Sequence, residues 1–205
     1  MPRRSILIFA GACVAIAAAL AIVTLVVVSR PPSAPISAEV TSTGQPQVGG
    51  PFQLVDEEGR TVDQTILNGK WSLVFFGFTY CPDYCPTTLN MLEAARRELG
   101  AQADDLQVIF ISVDPARDTP KAMKDYLSTW STDVTGLTGT PEQVKAAADA
   151  YRAVYEKVGE GENYTMNHSL TIYLMGPDGK FRAPLGHDLG PTRIADVIRR
   201  NMQRG

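Results

Sequence analysis

The sequence predicts an α/β fold, a mixed sheet flanked by helices and preceded by one N-terminal transmembrane helix. Three observations carry that expectation. Apolar runs of strand length, such as Leu73-Val74-Phe75-Phe76-Gly77-Phe78 and Val108-Ile109-Phe110-Ile111, alternate with stretches whose apolar residues recur at helical spacing. Two turn signals, Asp56-Glu57-Glu58-Gly59 and Gly176-Pro177-Asp178-Gly179, are each flanked by strand-like segments and predict hairpins. Residues 6–28 form an uncharged apolar run long enough to span a bilayer core.

With 205 residues and 44% hydrophobic composition, the chain can hold one ordinary domain plus a tail. Arg3 and Arg4 precede the apolar run and only Arg30 follows closely, so the positive-inside rule places the N-terminus in the cytoplasm and the rest across the membrane. A cleaved signal peptide is the competing reading, but its apolar region is normally shorter, and Ser37-Ala38 is a poor cleavage site. Cys13 follows Ala10-Gly11-Ala12, a faint lipidation signal, and reads more simply as a membrane-helix cysteine. The expected organisation is therefore a cytoplasmic stub and anchor over 1–30, a Pro/Ser/Thr/Gly-rich tether over 31–49, and a folded domain over 50–205.

Within the domain, Phe52-Gln53-Leu54-Val55 and Arg60-Thr61-Val62 form the first hairpin, and residues 71–79 the first central strand. A helix over 87–99 carries Leu89, Leu92, Ala95 and Leu99 on one face and ends at Gly100. A second buried strand is expected over 106–113 and a third over 134–137. Thr119-Pro120 opens a helix to 130, and Thr140-Pro141-Glu142-Gln143 opens another to about 155. Residues 159–163 read as polar loop, 168–175 and 180–185 as the second hairpin, and 191–202 as a final amphipathic helix.

The first central strand runs directly into Thr79-Tyr80-Cys81-Pro82-Asp83-Tyr84-Cys85-Pro86-Thr87. Both cysteines are thus expected in a strand-to-helix turn, with Cys85 near the N-cap and Pro86 at the first helical position. A helix N-terminus favours thiolate over thiol, the form that binds a soft metal or attacks a disulfide. A dithiol at the carboxyl end of a central strand, opening a helix, fits a thioredoxin-like arrangement. Outside the cytoplasm such a close pair is a disulfide switch, a metal site kept reduced by a partner, or both.

Only two histidines exist. His168 falls at the mouth of a core strand, where it can complete a soft ligand set with the two sulfurs or stand as a surface-loop residue. His187, in Gly186-His187-Asp188-Leu189-Gly190, reads as a solvated loop residue. Asp114, Arg117 and Asp118 read as turn and helix-start residues or outer support for the site. Phe78, Tyr80 and Tyr84 read as packing or partner-docking surface.

The stretch Gly77-Phe78-Thr79-Tyr80-Cys81-Pro82-Asp83-Tyr84-Cys85-Pro86-Thr87 resembles the signature of the Sco/SenC family of membrane-tethered, thioredoxin-like copper proteins. Ile111-Ser112-Val113-Asp114-Pro115-Ala116-Arg117-Asp118-Thr119-Pro120 resembles its second block. Asn167-His168-Ser169-Leu170, through Tyr173-Leu174-Met175-Gly176-Pro177-Asp178-Gly179, resembles its third. The resemblance implies copper, as Cu(I), Cu(II) or both, bound by Cys81, Cys85 and His168. It implies a role in assembling the dinuclear copper centre of cytochrome c oxidase, as a copper donor, a thiol reductant, or both. The implied partners are the copper-binding subunit of the oxidase, other periplasmic copper carriers and a thiol reductant. The implied location is a single-pass anchor with its domain in the periplasm or intermembrane space. The family usually has Asp before the histidine; here Asn167 removes that charge.

The formal net charge of -3 and the lack of basic runs exclude a nucleic-acid partner. Three rivals to a copper chaperone, which is not an enzyme in the turnover sense, stay open at this point. A thiol:disulfide reductase of one target would use the cysteines without copper. A peroxidase would also place a thiolate at a helix start. A copper sensor would need a signalling module, and the sequence offers none.

Overall fold

The computed structural model of the chain describes residues 47–130 and 134–204. The apolar run 6–28, Cys13 and the tether up to residue 46 lie outside the described residues; among the described residues no helix is long and apolar enough to cross a membrane. The first hairpin pairs β1 (Gln53–Asp56) with β2 (Thr61–Asp63), antiparallel. Asp56 closes it by accepting from the Glu58 and Arg60 N–H groups.

The centre is β3 (Trp71–Gly77), all seven residues of which are buried. That follows from a strand covered on both faces, where a continuous apolar run replaces alternation. It leads into α1 (Tyr84–Leu99), which buries Leu89, Leu92, Ala95 and Leu99 and ends at Gly100 with φ 60°. Next come β4 (Leu106–Ser112), α2 (Pro120–Leu127), β5 (Val134–Thr138) and α3 (Pro141–Tyr151). Thr119 caps α2, and Thr140 with Gln143 forms a reciprocal capping box on α3.

A separate ribbon, β6 (Tyr155–Val158) with β7 (Thr165–His168), precedes β8 (Ile172–Met175), β9 (Phe181–Leu185) and α4 (Pro191–Met202). The main sheet has the order β2-β1-β5-β4-β3-β8-β9. Strands β5, β4 and β3 are parallel, while β8 is antiparallel to β3 and β9 to β8. A three-stranded parallel core extended by an antiparallel hairpin and flanked by helices is a thioredoxin-like fold, as the sequence led us to expect.

Several boundaries differ from expectation. Helix α1 begins at Tyr84, one turn before residue 87, so Cys85 lies inside it. Helix α2 stops at Leu127, short of 130. Helix α3 stops at Tyr151 because Arg152 turns left-handed, with φ 56°, and residues 155–158 become a strand. The strand expected over 168–175 is two strands, with residues 169–171 between them.

Candidate metal site

The dithiol turn leaves β3 beneath a roof of backbone pairing. Val113 N–H donates to Gly77 O at 2.8 Å, and Cys81 N–H to Phe78 O at 3.2 Å. Asp118, buried, accepts from Thr79 N–H at 3.1 Å, from Thr79 Oγ1 at 2.6 Å and from Ser112 Oγ at 2.6 Å. This carboxylate therefore fixes the end of β4 to the first residue of the turn, although burial pushes its pKa up.

Cys81 lies just outside α1, two residues before the N-cap Asp83, and Cys85 is the second helical residue. The Cys85 N–H donates to Cys81 Sγ at 3.4 Å, so a sulfur takes one of the helix's free amide donors. Both cysteines are unpaired, with relative exposures of 8% for Cys81 and 1% for Cys85. The hydrogen bond from the Cys85 thiol, aided by His168 and by the Cys85 and Asp83 amides, lowers the Cys81 pKa to about 3 against the opposing cost of burial. The same hydrogen bond, with burial and the Cys81 charge, drives Cys85 the other way. The opposed directions make Cys81 the more acidic thiol of a pair that titrates as a unit.

His168 ends β7 and reaches the dithiol from the ribbon. Its Nδ1 lies 3.0 Å from Ser169 O; since a carbonyl only accepts, Nδ1 carries the proton and Nε2 faces the sulfurs. The Nε2 to Cys85 Sγ distance is 3.8 Å. Phe78 meets the imidazole edge-on, centroids 5.8 Å apart. One donor atom from each of Cys81, Cys85 and His168 lies within 4.8 Å of the others. Beside them opens a cavity of about 410 Å³ whose lining is mostly apolar, with Phe78, Tyr84, Met166 and Leu170 around Cys81 and His168, and Asp83 and Asn167 among its polar members. Two sulfurs and an imidazole nitrogen on such an apolar floor suit a soft, low-coordinate ion; zinc ordinarily takes a fourth ligand.

The sequence matches the SCO1/SenC family over residues 40–203. This chain belongs to that family. Protein SenC of Rhodobacter capsulatus is 42% identical over 159 residues, 77% of this chain and 72% of the relative. The mitochondrial SCO1 homolog 1 of Arabidopsis thaliana is 41% identical over 162 residues, 78% of this chain but only 48% of the plant protein. The structure of Bradyrhizobium japonicum ScoI with copper bound has a TM-score of 0.69 and 44% identity, covering 75% of this chain and 98% of that one.

In this Sco/SenC chain the structure brings Cys81, Cys85 and His168 together and leaves His187 outside their group. His187 lies in the turn between β9 and α4, as expected of a loop residue, and is partly buried, with its ring 5.4 Å from that of Tyr84. Tyr80 and Tyr84 are exposed on either side of Cys81, whereas Phe78 is buried. Sequence reasoning gave no role to Gly77 or Tyr164. A Cβ at Gly77 would stand 2.5 Å from Cys85 Sγ and 2.5 Å from Phe110 Cε2. A lone glycine inside an otherwise bulky strand run was the available signal. Tyr164 carried none, because its partners, Asp114 and Arg117, are distant in sequence.

Proposed function

We propose that this chain is a membrane-anchored copper metallochaperone that carries copper as cargo between Cys81, Cys85 and His168 for assembly of the copper centre of cytochrome c oxidase. The observation that carries the reading is the convergence of the three donor atoms, within 4.8 Å, from two segments far apart in the chain. Cu(I) on two thiolates and a neutral imidazole has a modest net charge of about -1, tolerable in a partly open site. A three-ligand site beside an open hollow allows a partner's ligands to enter one at a time. Copper bound to a relative of 44% identity supports the choice of ion. The oxidase as destination follows from the family resemblance, and the anchor from the apolar residues 6–28 with Arg3 and Arg4 before them.

A thiol reductase is a second reading, favoured by the asymmetry of the pair. The Cys81 thiolate would attack a target disulfide, forming a mixed disulfide and releasing one target sulfur as thiolate. Cys85 would then give up its proton and attack Cys81 Sγ, releasing the reduced target and leaving Cys81 and Cys85 oxidised to a disulfide. That step removes both sulfur ligands, so copper loading and reductase action exclude each other on one molecule at one time.

The test is a Cu(I) titration of the full chain in mild detergent, reduced and anaerobic, against a chromophoric chelator. Wild type is compared with Cys81→Ser, Cys85→Ser and His168→Ala. The expected result is one tightly held copper per chain, weakened by each substitution. Binding indifferent to His168 would shift the reading to a reductase of a copper protein's disulfide.

A further inference from the structure

His168 stands on a ribbon that, among the described residues, pairs with no strand of the main sheet. Ser169 ties its base, donating its N–H to Val154 O at 2.9 Å and accepting the Val154 N–H on Oγ at 2.9 Å. Nothing in that tie reaches the dithiol turn. Residues 169–171 lead from His168 into β8, which pairs with β3, so backbone holds the His168 end of the ribbon and side-chain contacts hold its other end, near Tyr164.

Arg117 spans the two. Its Nε donates to Asp114 Oδ2 at 2.5 Å and its Nη1 to the backbone oxygen of Tyr164 at 3.0 Å. Its guanidinium carbon lies 3.6 Å from the Tyr164 ring centroid and 4.6 Å from that of Tyr80. The Tyr164 hydroxyl closes the circuit by donating to Asp114 Oδ1 at 2.6 Å. Tyr80 directly precedes Cys81, and Tyr164 directly precedes β7, which ends in His168. None of these contacts is to a thiol or to the imidazole, yet they grip the chain beside both.

The geometry asks for arginine. A guanidinium can stack flat on a ring while donating in its own plane; an ammonium cannot do both. Charge alone is already present, because Lys157 Nζ lies 3.8 Å from the same Tyr164 ring. What Arg117 adds is a second tie to Asp114 beside the Tyr164 hydroxyl, and the bridge from the Tyr164 ring and backbone to Tyr80.

We infer that Arg117 is a positioning residue for the imidazole arm of the site: by clamping Tyr164 to Asp114 and Tyr80, it holds β7 where His168 completes the ligand set. The inference rests on the three-ligand reading above. Its test is a double-mutant cycle on the full reduced chain in detergent, with Cu(I) affinity measured by chelator competition for wild type, Arg117→Lys, His168→Ala and the double variant. Arg117→Lys is expected to weaken binding by about tenfold to a hundredfold, the range for outer-shell support of a ligand. In the His168→Ala background it should change affinity by less than about twofold. In the Cu(II)-loaded protein, Arg117→Lys should lose nitrogen hyperfine coupling while keeping the sulfur-to-copper charge-transfer band. Tyr164→Leu, which breaks the clamp from the ribbon side, should repeat the pattern and decides the matter if Arg117→Lys does not unfold cooperatively. An affinity unchanged by either substitution, or lowered equally in both backgrounds, overturns the inference alone. An affinity unchanged by His168→Ala overturns the three-ligand reading, and the inference with it.

Discussion

Cys85 Sγ and His168 Nε2 lie 3.8 Å apart although 83 residues separate them in the chain. The first is set by the start of a helix and the second by the end of a two-stranded ribbon. Neither element alone holds more than part of a ligand set. A site divided this way can lose its imidazole without losing its dithiol, which makes metal transfer and thiol chemistry separable by mutation.

The Cys81 thiolate couples the fold to pH. A group whose folded pKa is lowered stabilises the fold fully above its unfolded pKa, about 8.5 for a free thiol, and loses that contribution as pH falls through the folded value. For Cys81 the folded value is about 3, so its contribution should decline steadily between those limits. Cys85 shifts upward and therefore acts only on the alkaline side of the unfolded value. We expect the Tm advantage of the reduced wild type over Cys81→Ser to shrink as pH is lowered from about 8 to about 4. A difference that stays flat over this range would show that Cys81 is not a thiolate in the folded chain.

Gly77 should be intolerant of even one methyl group. It sits at the end of β3 with its carbonyl accepting from Val113, so the backbone cannot move outward without breaking that pairing. An added Cβ would press on Cys85 Sγ and the Phe110 ring, both at 2.5 Å. Overpacking of this kind costs roughly 1–3 kcal/mol. Gly77→Ala should lower the urea midpoint of the reduced chain accordingly and weaken Cu(I) binding by displacing Cys85. An unchanged midpoint together with unchanged affinity would mean that the neighbouring rings yield freely.

The parts of the fold that could be read from sequence are those whose reason is local. The apolar runs of β3 and β4, the hairpin turns and the dithiol before a helix each announce themselves within about ten residues. The ribbon does not. Tyr155-Glu156-Lys157-Val158 is mostly exposed and has little apolar alternation, so no strand was expected there and the helix opened by Thr140-Pro141 was read as running to about 155. The left-handed turn at Arg152, which ends that helix, is a backbone choice few side chains advertise. The Arg117 to Tyr164 contact crosses 47 residues, and no spacing rule could have paired them. His168 was found through family resemblance and its position at a strand mouth, while the support that holds it became visible only in three dimensions.

Asn167 should bear on which copper oxidation state is favoured. It stands directly opposite Glu156 across the ribbon, and with His168 both line a hollow of about 460 Å³, while Asn167 also lines the cavity beside Cys81. Asn167→Asp would add a negative charge next to a ligand, favouring Cu(II) over Cu(I) through Coulomb attraction alone. It would also set two carboxylates face to face on the ribbon, at a cost of about 0.2–1 kcal/mol. Glu156→Gln removes the existing charge on the same side and should act in the opposite sense. In a redox titration of the copper-loaded chain, we expect the potential to fall on the order of tens of millivolts with Asn167→Asp. It should rise by a smaller amount with Glu156→Gln, whose charge lies across the ribbon and not next to a ligand in the chain. If neither substitution moves the potential, charge on this face of the ribbon does not reach the copper, and the site's preference is set by the sulfurs and the imidazole alone.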